Sequence, residues 1–292
     1  MNFATIIFIV ALSLSSCISS CNKWSTADAS KDMATTRLDM ENIAYGPDTA
    51  QQLDLYRPAN RDISDTKVIL FIHGGSWSGG DKTDFNEAIA AIRTELPDYA
   101  IFNINYRLAH NNLNHFPAQI NDLQRAISFI ESKANEYKVN VNKMCLVGAS
   151  AGAHLALLQA YKFNSDGKIK GVVDLFGPTD LVDLYNNHPI TQQARPLLVN
   201  LFGKTPATDA TMYQQASPIN FVNSTSVPTI IFHGTDDFIV PVAQSNLLKA
   251  KLQQNHVKVE MTAYAAEGHG WYGKNLSDTY AKTVRFIREN VY

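Results

Sequence analysis

The chain has 292 residues, 45% of them hydrophobic and 18% charged, enough to bury a sizeable core. Its formal charge of −2 offers no basic excess for a phosphate backbone and no acidic tail, which excludes nucleic acid as a partner class. Three cysteines imply no disulfide framework, and Cys145, in an apolar stretch, reads as a small buried core residue.

Residues 1–21 read as an export segment. Ile6 to Leu14 is an apolar run too short to span a bilayer comfortably, and it leads into small residues. Leu14-Ser15-Ser16-Cys17 and Ile18-Ser19-Ser20-Cys21 both resemble the bacterial lipoprotein signal, so the lipidated residue is Cys17 or Cys21. The alternative is an unlipidated secretory signal, and Met1-Asn2-Phe3 brings no cation where a positive n-region is expected. Either way the expectation is an exported protein, secreted or held at a membrane by a lipid anchor. Residues 22–38 are polar and aperiodic, a linker, and the folded domain is expected over 39–292.

Within that domain, strand-like runs alternate with helical spacings, the order of a mostly parallel sheet flanked by helices. Strands are expected at Gln52–Tyr56, Lys67–Ile72, Ala100–Ile104, Met144–Val147, Ile169–Leu175, Pro228–Phe232 and Val257–Ala263. Helices are expected at Phe85–Leu96, with Asp81 as a cap, and at Pro117–Ala134, Ala151–Tyr161, Val242–Gln253 and Leu276–Arg288. The stretch 180–222 breaks the rhythm and reads as a cap insertion that shapes a cleft beyond the strand ends.

The chemistry centres on Gly148-Ala149-Ser150-Ala151-Gly152, at the boundary between an expected strand and an expected helix. A sharp turn there projects the Ser150 hydroxyl and aims the Ala151 N–H at a developing oxyanion. Alone, such a pentapeptide is more readily a serine in a glycine-rich turn. Three further segments change that reading. His73-Gly74-Gly75-Ser76-Trp77 follows a strand and makes the N–H groups of Gly75 and Ser76 candidate oxyanion donors, with His73 bracing the loop. Later in the chain come Asp236-Asp237 at a strand end and Gly268-His269-Gly270 in a loop, giving the order serine, acid, histidine with His269 as base.

The residues alone leave Asp236 and Asp237 both open as the acid, with Asp180 a rival that reads otherwise as a cap or turn residue. His110, His115, His188 and His256 are weaker candidate bases, and His154 reads as a structural helix residue. Trp77, Tyr106 and Trp271, with Tyr272, are candidate cleft-lining aromatics that stack on substrate, core packing being the competing role. No zinc-binding helix motif, phosphate-binding loop or dinucleotide fingerprint occurs, so no metal or cofactor is expected.

From about Asp39 to Val291 the chain resembles the bacterial esterase branch of the α/β-hydrolase superfamily, including carbohydrate-ester and acetyl-esterase-like proteins. The glycine loop and serine elbow carry the resemblance, together with Asn105-Tyr106-Arg107-Leu108-Ala109, Phe116-Pro117-Ala118-Gln119 and His233-Gly234-Thr235-Asp236-Asp237. It implies an α/β-hydrolase fold, places the acid on Asp237 before Val240-Pro241, and implies a serine carboxylesterase without cofactor. The expected substrate is a small-molecule or saccharide ester, acetyl or feruloyl in type. An amide hydrolase of the formamidase type and a noncatalytic binding protein on the same fold are the alternatives.

Overall fold

Runs of β-branched and aromatic residues build the centre of the molecule. A computed structural model describes residues 36–110 and 112–292. The segment 1–21 expected to direct export, with Cys17 and Cys21, and most of the expected linker 22–38 lie outside the described residues. Among the described residues, no helix is long and apolar enough to cross a membrane.

Eight strands form one sheet: β1 (Leu38–Ala44), β2 (Gln52–Arg57), β3 (Lys67–Ile72), β4 (Tyr99–Ile104), β5 (Met144–Ala149), β6 (Ile169–Leu175), β7 (Thr229–Gly234) and β8 (Val259–Tyr264). Their spatial order is β1-β2-β4-β3-β5-β6-β7-β8. The β1–β2 and β2–β4 pairings are antiparallel and the other five parallel. Every residue from Val68 to Ile72 and from Tyr99 to Ile104 is buried, as strands covered on both faces must be. This is the expected α/β-hydrolase architecture.

One face is covered by α1 (Asn86–Glu95) and α8 (Gly273–Asn290), whose Ile89, Ile92, Phe286 and Ile287 share a core with Phe71 and Ile101. On the other lie α2 (Ala118–Ser132), α3 (Ala151–Lys162) and α7 (Ala243–Gln254), packed through residues such as Leu123, Leu157 and Leu248. Helix α3 is buried from Ala151 to Tyr161, because the sheet lies beneath it and other helices cover it.

Differences from the sequence reading have local causes. Strand β1 was not expected: its side chains are mostly exposed, and a register shift between Met40 and Ile43, with Asn42 at φ 55°, erases any clean alternation. The expected helix from Phe85 resolves into a 3-10 turn, Lys82–Phe85, followed by α1. Asp81 caps that turn through a reciprocal box with Asp84. Between β6 and β7 the chain forms α4 (Leu181–Asn187), α5 (Thr191–Phe202) and α6 (Ala210–Ala216). Their Leu184, Ala194, Leu198 and Tyr213 are buried in the same core as Trp77, so the inserted segment packs over the strand ends rather than trailing from them.

A buried ion pair pins the loop leaving β3. Lys82 Nζ lies 2.9 Å from Asp54 Oδ2 on β2, with both side chains almost shut off from water. The Lys82 N–H donates to Asn105 Oδ1 at 2.6 Å, and its carbonyl accepts from Asn103 Nδ2 at 2.6 Å. Removing one partner strands the other charge in the interior, so Lys82→Ala should cost about 3–5 kcal/mol in urea unfolding. A loss below about 1 kcal/mol, typical of exposed pairs, would contradict this reading.

Candidate active site

Strand β5 ends at Ala149 and α3 begins at Ala151, leaving Ser150 at φ 53°, ψ −118° between them. The chain tolerates this turn because glycines flank it. A Cβ on Gly148 would lie 2.4 Å from the Gly152 backbone, and one on Gly152 would lie 1.9 Å from the Ile72 carbonyl oxygen. The Ser150 N–H donates to Leu175 O at 2.8 Å, and the Ser150 carbonyl accepts from the His154 N–H at 3.0 Å. The hydroxyl is thus fixed at the positive end of α3.

His269 arrives on the loop after β8. Its Nε2 is 2.9 Å from Ser150 Oγ, and its Nδ1 is 2.6 Å from Asp237 Oδ2. An ionised carboxylate only accepts, so Nδ1 carries the proton and Nε2 is free to accept from the serine. Asp237 Oδ1 accepts from the N–H groups of Ile239 at 2.8 Å and Val240 at 2.9 Å. Burial alone would raise the Asp237 pKa. Hydrogen bonds from His233 and His269, with the Val240 N–H, outweigh burial and hold the carboxyl well below its usual range.

The structure separates the rival acids. Asp236 is exposed and accepts from its neighbour Thr235, away from the imidazole. Asp180 caps α4, accepting from the N–H groups of Val182 and Asp183. Ser150, His269 and Asp237 form one hydrogen-bonded line.

The loop after β3 lies against the serine. A Cβ on Gly74 would sit 3.3 Å from Ser150 Cβ, and Gly75, Ser76 and Trp77 follow at φ 101°, 53° and 58°. The N–H groups of Ser78 and Gly79 close this turn on the Gly75 carbonyl. By contrast, the N–H groups of Gly75, Ser76 and Ala151 meet no acceptor among the described residues and remain free for an incoming oxygen. His73 is buried inside the loop with Nδ1 2.7 Å from Gly74 O; burial depresses its pKa, with the Gly74 carbonyl partly opposing.

The candidate aromatics divide. Trp77 borders the cavity above Ser150, and its indole N–H donates to His154 Nδ1 at 3.1 Å. His154 Nε2 in turn reaches Ala216 O at 2.8 Å, so this helix histidine ties the glycine loop to α6. Trp271 donates to Thr279 Oγ1 at 2.8 Å and walls a separate cleft on the far side of His269. Tyr106 corrects the sequence reading. It is 1% exposed, stacks on His73 at 4.3 Å and donates to His73 O at 2.9 Å, so it supports the loop from beneath and lines no cleft.

Several neighbours of the site were not singled out from sequence. His233 Nε2 lies 2.7 Å from Val240 O and 3.2 Å from Asp237 Oδ2, while its Nδ1 meets Ser245 Oγ at 2.7 Å. The signal was available, since His233 stands four residues before Asp237 at a strand end. Phe176, at φ 49°, packs on the His269 ring at 4.5 Å, and nothing in the local pattern announces it. His188, by contrast named above as a weaker candidate base, accepts the Ile190 N–H at Nδ1 and approaches Ile239 O with Nε2 at 3.1 Å, so it braces the inserted segment. Among the described residues, no group of three or more His, Cys, Asp and Glu side chains is arranged to hold a metal ion.

The chain matches the BD-FAE family model over residues 53–252. It is 30% identical over 227 residues to a probable carboxylic ester hydrolase, LipM, of Mycobacterium tuberculosis, an alignment covering 73% of this chain and 51% of LipM. The chain therefore spans about half the length of that relative. A kynurenine formamidase of Meyerozyma guilliermondii is 29% identical over 243 residues, covering 78% of this chain and 86% of the formamidase. A solved structure described as a truncated form of carbohydrate esterase from gut microbiota is 25% identical, with a TM-score of 0.72 over 88% of this chain and 97% of that one.

One buried carboxyl near the site titrates abnormally. Asp174 on β6 accepts the Gly177 N–H at 2.8 Å through Oδ1, and its Oδ2 has no partner among the described residues. Burial pushes its pKa from 3.8 up to about 7, against the opposing pull of Gly177 and His233. Between about pH 4 and 7 the folded chain therefore holds a proton that the unfolded chain has released, and stability falls as pH rises through that window. Asp174→Asn removes this slope. Urea unfolding should show the variant gaining on the parent by several kcal/mol from pH 4 to 7. Parallel profiles would refute the assignment.

Proposed function

The chain belongs to the BD-FAE family, and on that premise we propose that it hydrolyses carboxylic esters through an acyl-enzyme on Ser150. The observation that carries the proposal is the line from Ser150 Oγ through His269 to Asp237, beside three unpaired backbone N–H groups. His269 Nε2 takes the serine proton as Oγ attacks the ester carbonyl. The oxyanion forms against the N–H groups of Gly75, Ser76 and Ala151, each such donor contributing about 3 kcal/mol in a dry site. His269 then returns the proton to the departing alcohol, and water, activated by the same imidazole, releases the acid. Asp237 orients the imidazole and stabilises its cationic form.

For the acyl group, the cavity against Ser150 favours acetyl over feruloyl. It encloses about 20 Å³ between Ser76, Trp77, Leu184, Ala194 and Leu198, little more than one water-sized group. Saccharide-linked esters are proposed as the natural substrates, supported by the similarity to the gut carbohydrate esterase. Amide hydrolysis is the second reading, favoured by the similarity to the kynurenine formamidase, because the same machinery cleaves both bonds.

Ser150→Ala should abolish hydrolysis of short aryl acetates, and Asp237→Asn should lower kcat by about 10⁴-fold, whereas Asp236→Asn should remain near the parent rate. Rates should fall from acetate to butyrate to ferulate. Full activity in Ser150→Ala, or no labelling of Ser150 by an organophosphonate, would overturn the acyl-enzyme; a large preference for an N-formyl aryl amine over the matching acetate would replace the ester reading.

Export belongs to the same proposal, with Cys17 or Cys21 as the lipidated residue. In a bacterial host, incorporation of labelled palmitate should disappear in a Cys17→Ala, Cys21→Ala double variant and in one of the two single variants. No incorporation in the parent chain would overturn the anchor.

A further inference from the structure

Beside the acid stands a second imidazole that the acyl-transfer steps do not use. His233, near the end of β7, is fully buried, and both of its ring nitrogens are engaged. Nε2 lies 2.7 Å from the Val240 carbonyl and 3.2 Å from Asp237 Oδ2, while Nδ1 lies 2.7 Å from Ser245 Oγ on α7. These partners fix where the ring carries its hydrogen. A carbonyl and an ionised carboxylate only accept, so Nε2 is protonated. A hydroxyl both donates and accepts, so Ser245 satisfies Nδ1 whether the ring is neutral or charged. In either state an N–H faces Asp237.

The two carboxylate oxygens are thus treated differently. Oδ1 meets backbone, the N–H groups of Ile239 and Val240, whereas Oδ2 meets two imidazoles, His233 at 3.2 Å and His269 at 2.6 Å. Through the Val240 carbonyl, His233 ties the far end of the acid loop back to its own strand. Through Oδ2 it engages part of the carboxylate's charge, and the Nδ1–H of His269 draws on the remainder. Burial raises the Asp237 pKa, and among the groups that pull it down again His233 weighs most. Resting on the ester reading above, we propose that His233 is a positioning residue of the catalytic line: it holds Asp237 in place and sets how strongly that carboxylate stabilises the cationic form of His269.

The surroundings decide how this is read out. Besides Asp237, the ionisable group that acts on His233 is Asp174 on β6, while α7 presents the neutral Ser245 and the chain after β6 the Phe176 ring at 6.5 Å. His269 is faced by Asp237, Ser150 and the same Phe176 ring, with Asp84 and Glu87 lining the cleft beyond it. Burial pushes Asp174 up to about 7, so its own titration has to be separated from that of His269.

The ring carbon protons of His269 report its titration by NMR without any substrate. His233→Leu removes the N–H, returns the shared charge to His269 and should raise its midpoint by about 0.3–1 pH unit. His233→Gln sets an amide N–H in place of Nε2 and should bring the midpoint back to within about 0.2 pH unit of the parent. With an aryl acetate, kcat should fall about tenfold in His233→Leu at nearly constant KM and recover in His233→Gln. Should the Leu variant fail to fold, the double variant His233→Leu, Ser245→Ala removes both ends of the buried Nδ1 contact and leaves no orphaned hydroxyl. In the parent, nitrogen-15 spectra should show His233 protonated at Nε2. An unprotonated Nε2, an unchanged His269 midpoint without the imidazole, a shift that Gln does not reverse, or one that vanishes in an Asp174→Asn background would overturn the proposal. Failure of the parent to cleave any ester would overturn the ester reading alone, because the titration still decides the role of His233.

Discussion

The rest of the site is arranged around a single backbone turn, the left-handed residue between β5 and α3. A non-glycine residue held at φ 53°, ψ −118° costs about 1–3 kcal/mol and persists only when its surroundings over-determine it. They do so here on three sides. Gly148 and Gly152 allow β5, α3 and the end of β3 to touch backbone to backbone, and the Leu175 carbonyl on β6 takes the Ser150 N–H. Because β3, β5 and β6 are adjacent in the sheet, the hydroxyl is tied to the stiffest part of the molecule. Its partners have to come to it, on loops from the ends of β3, β7 and β8.

Two buried carboxyls, one on β6 and one in the loop after the neighbouring β7, show how burial is turned to opposite ends. Asp237, after β7, is surrounded by donors: two histidine nitrogens and two backbone N–H groups keep it ionised. Asp174, on β6, has one backbone N–H and an orphaned oxygen, and is pushed towards the neutral form. The same loss of water acts on both. The difference lies in the count of donors, and it places the negative charge on the side of the imidazole.

Legibility in the sequence followed burial symmetry. Strands β3 to β7 were readable because apolar side chains are needed on both faces, leaving continuous runs such as Val68 to Ile72. Strand β1, at the edge with mostly exposed residues and a bulge, leaves no such trace. Ser150, Asp237 and His269 were legible because their loops carry glycines and sit at strand ends, and the choice of Asp237 over Asp236 came from resemblance rather than periodicity. Geometry now separates the two, since only Asp237 reaches the imidazole. Tyr106 was misread because a strand-end aromatic looks alike whether its ring faces the cleft or the loop beneath it. Phe176 depends on contact with a distant segment, the kind of information that a linear pattern does not hold, whereas His233 touches only nearby residues and its place four residues before Asp237 is a readable signal.

His188 has a consequence for how this scaffold can be diversified. Its ring accepts an N–H from the inserted segment and reaches, through the other nitrogen, the carbonyl of Ile239, whose own N–H is bound to Asp237. The roof over the serine and the loop that holds the acid are thus one mechanical piece. Exchanging the 180–222 segment for another, to widen the room for larger acyl groups, would loosen the acid as a side effect. A successful graft has to bring its own donor for the Ile239 carbonyl, so specificity and proton transfer are not independent modules in this fold.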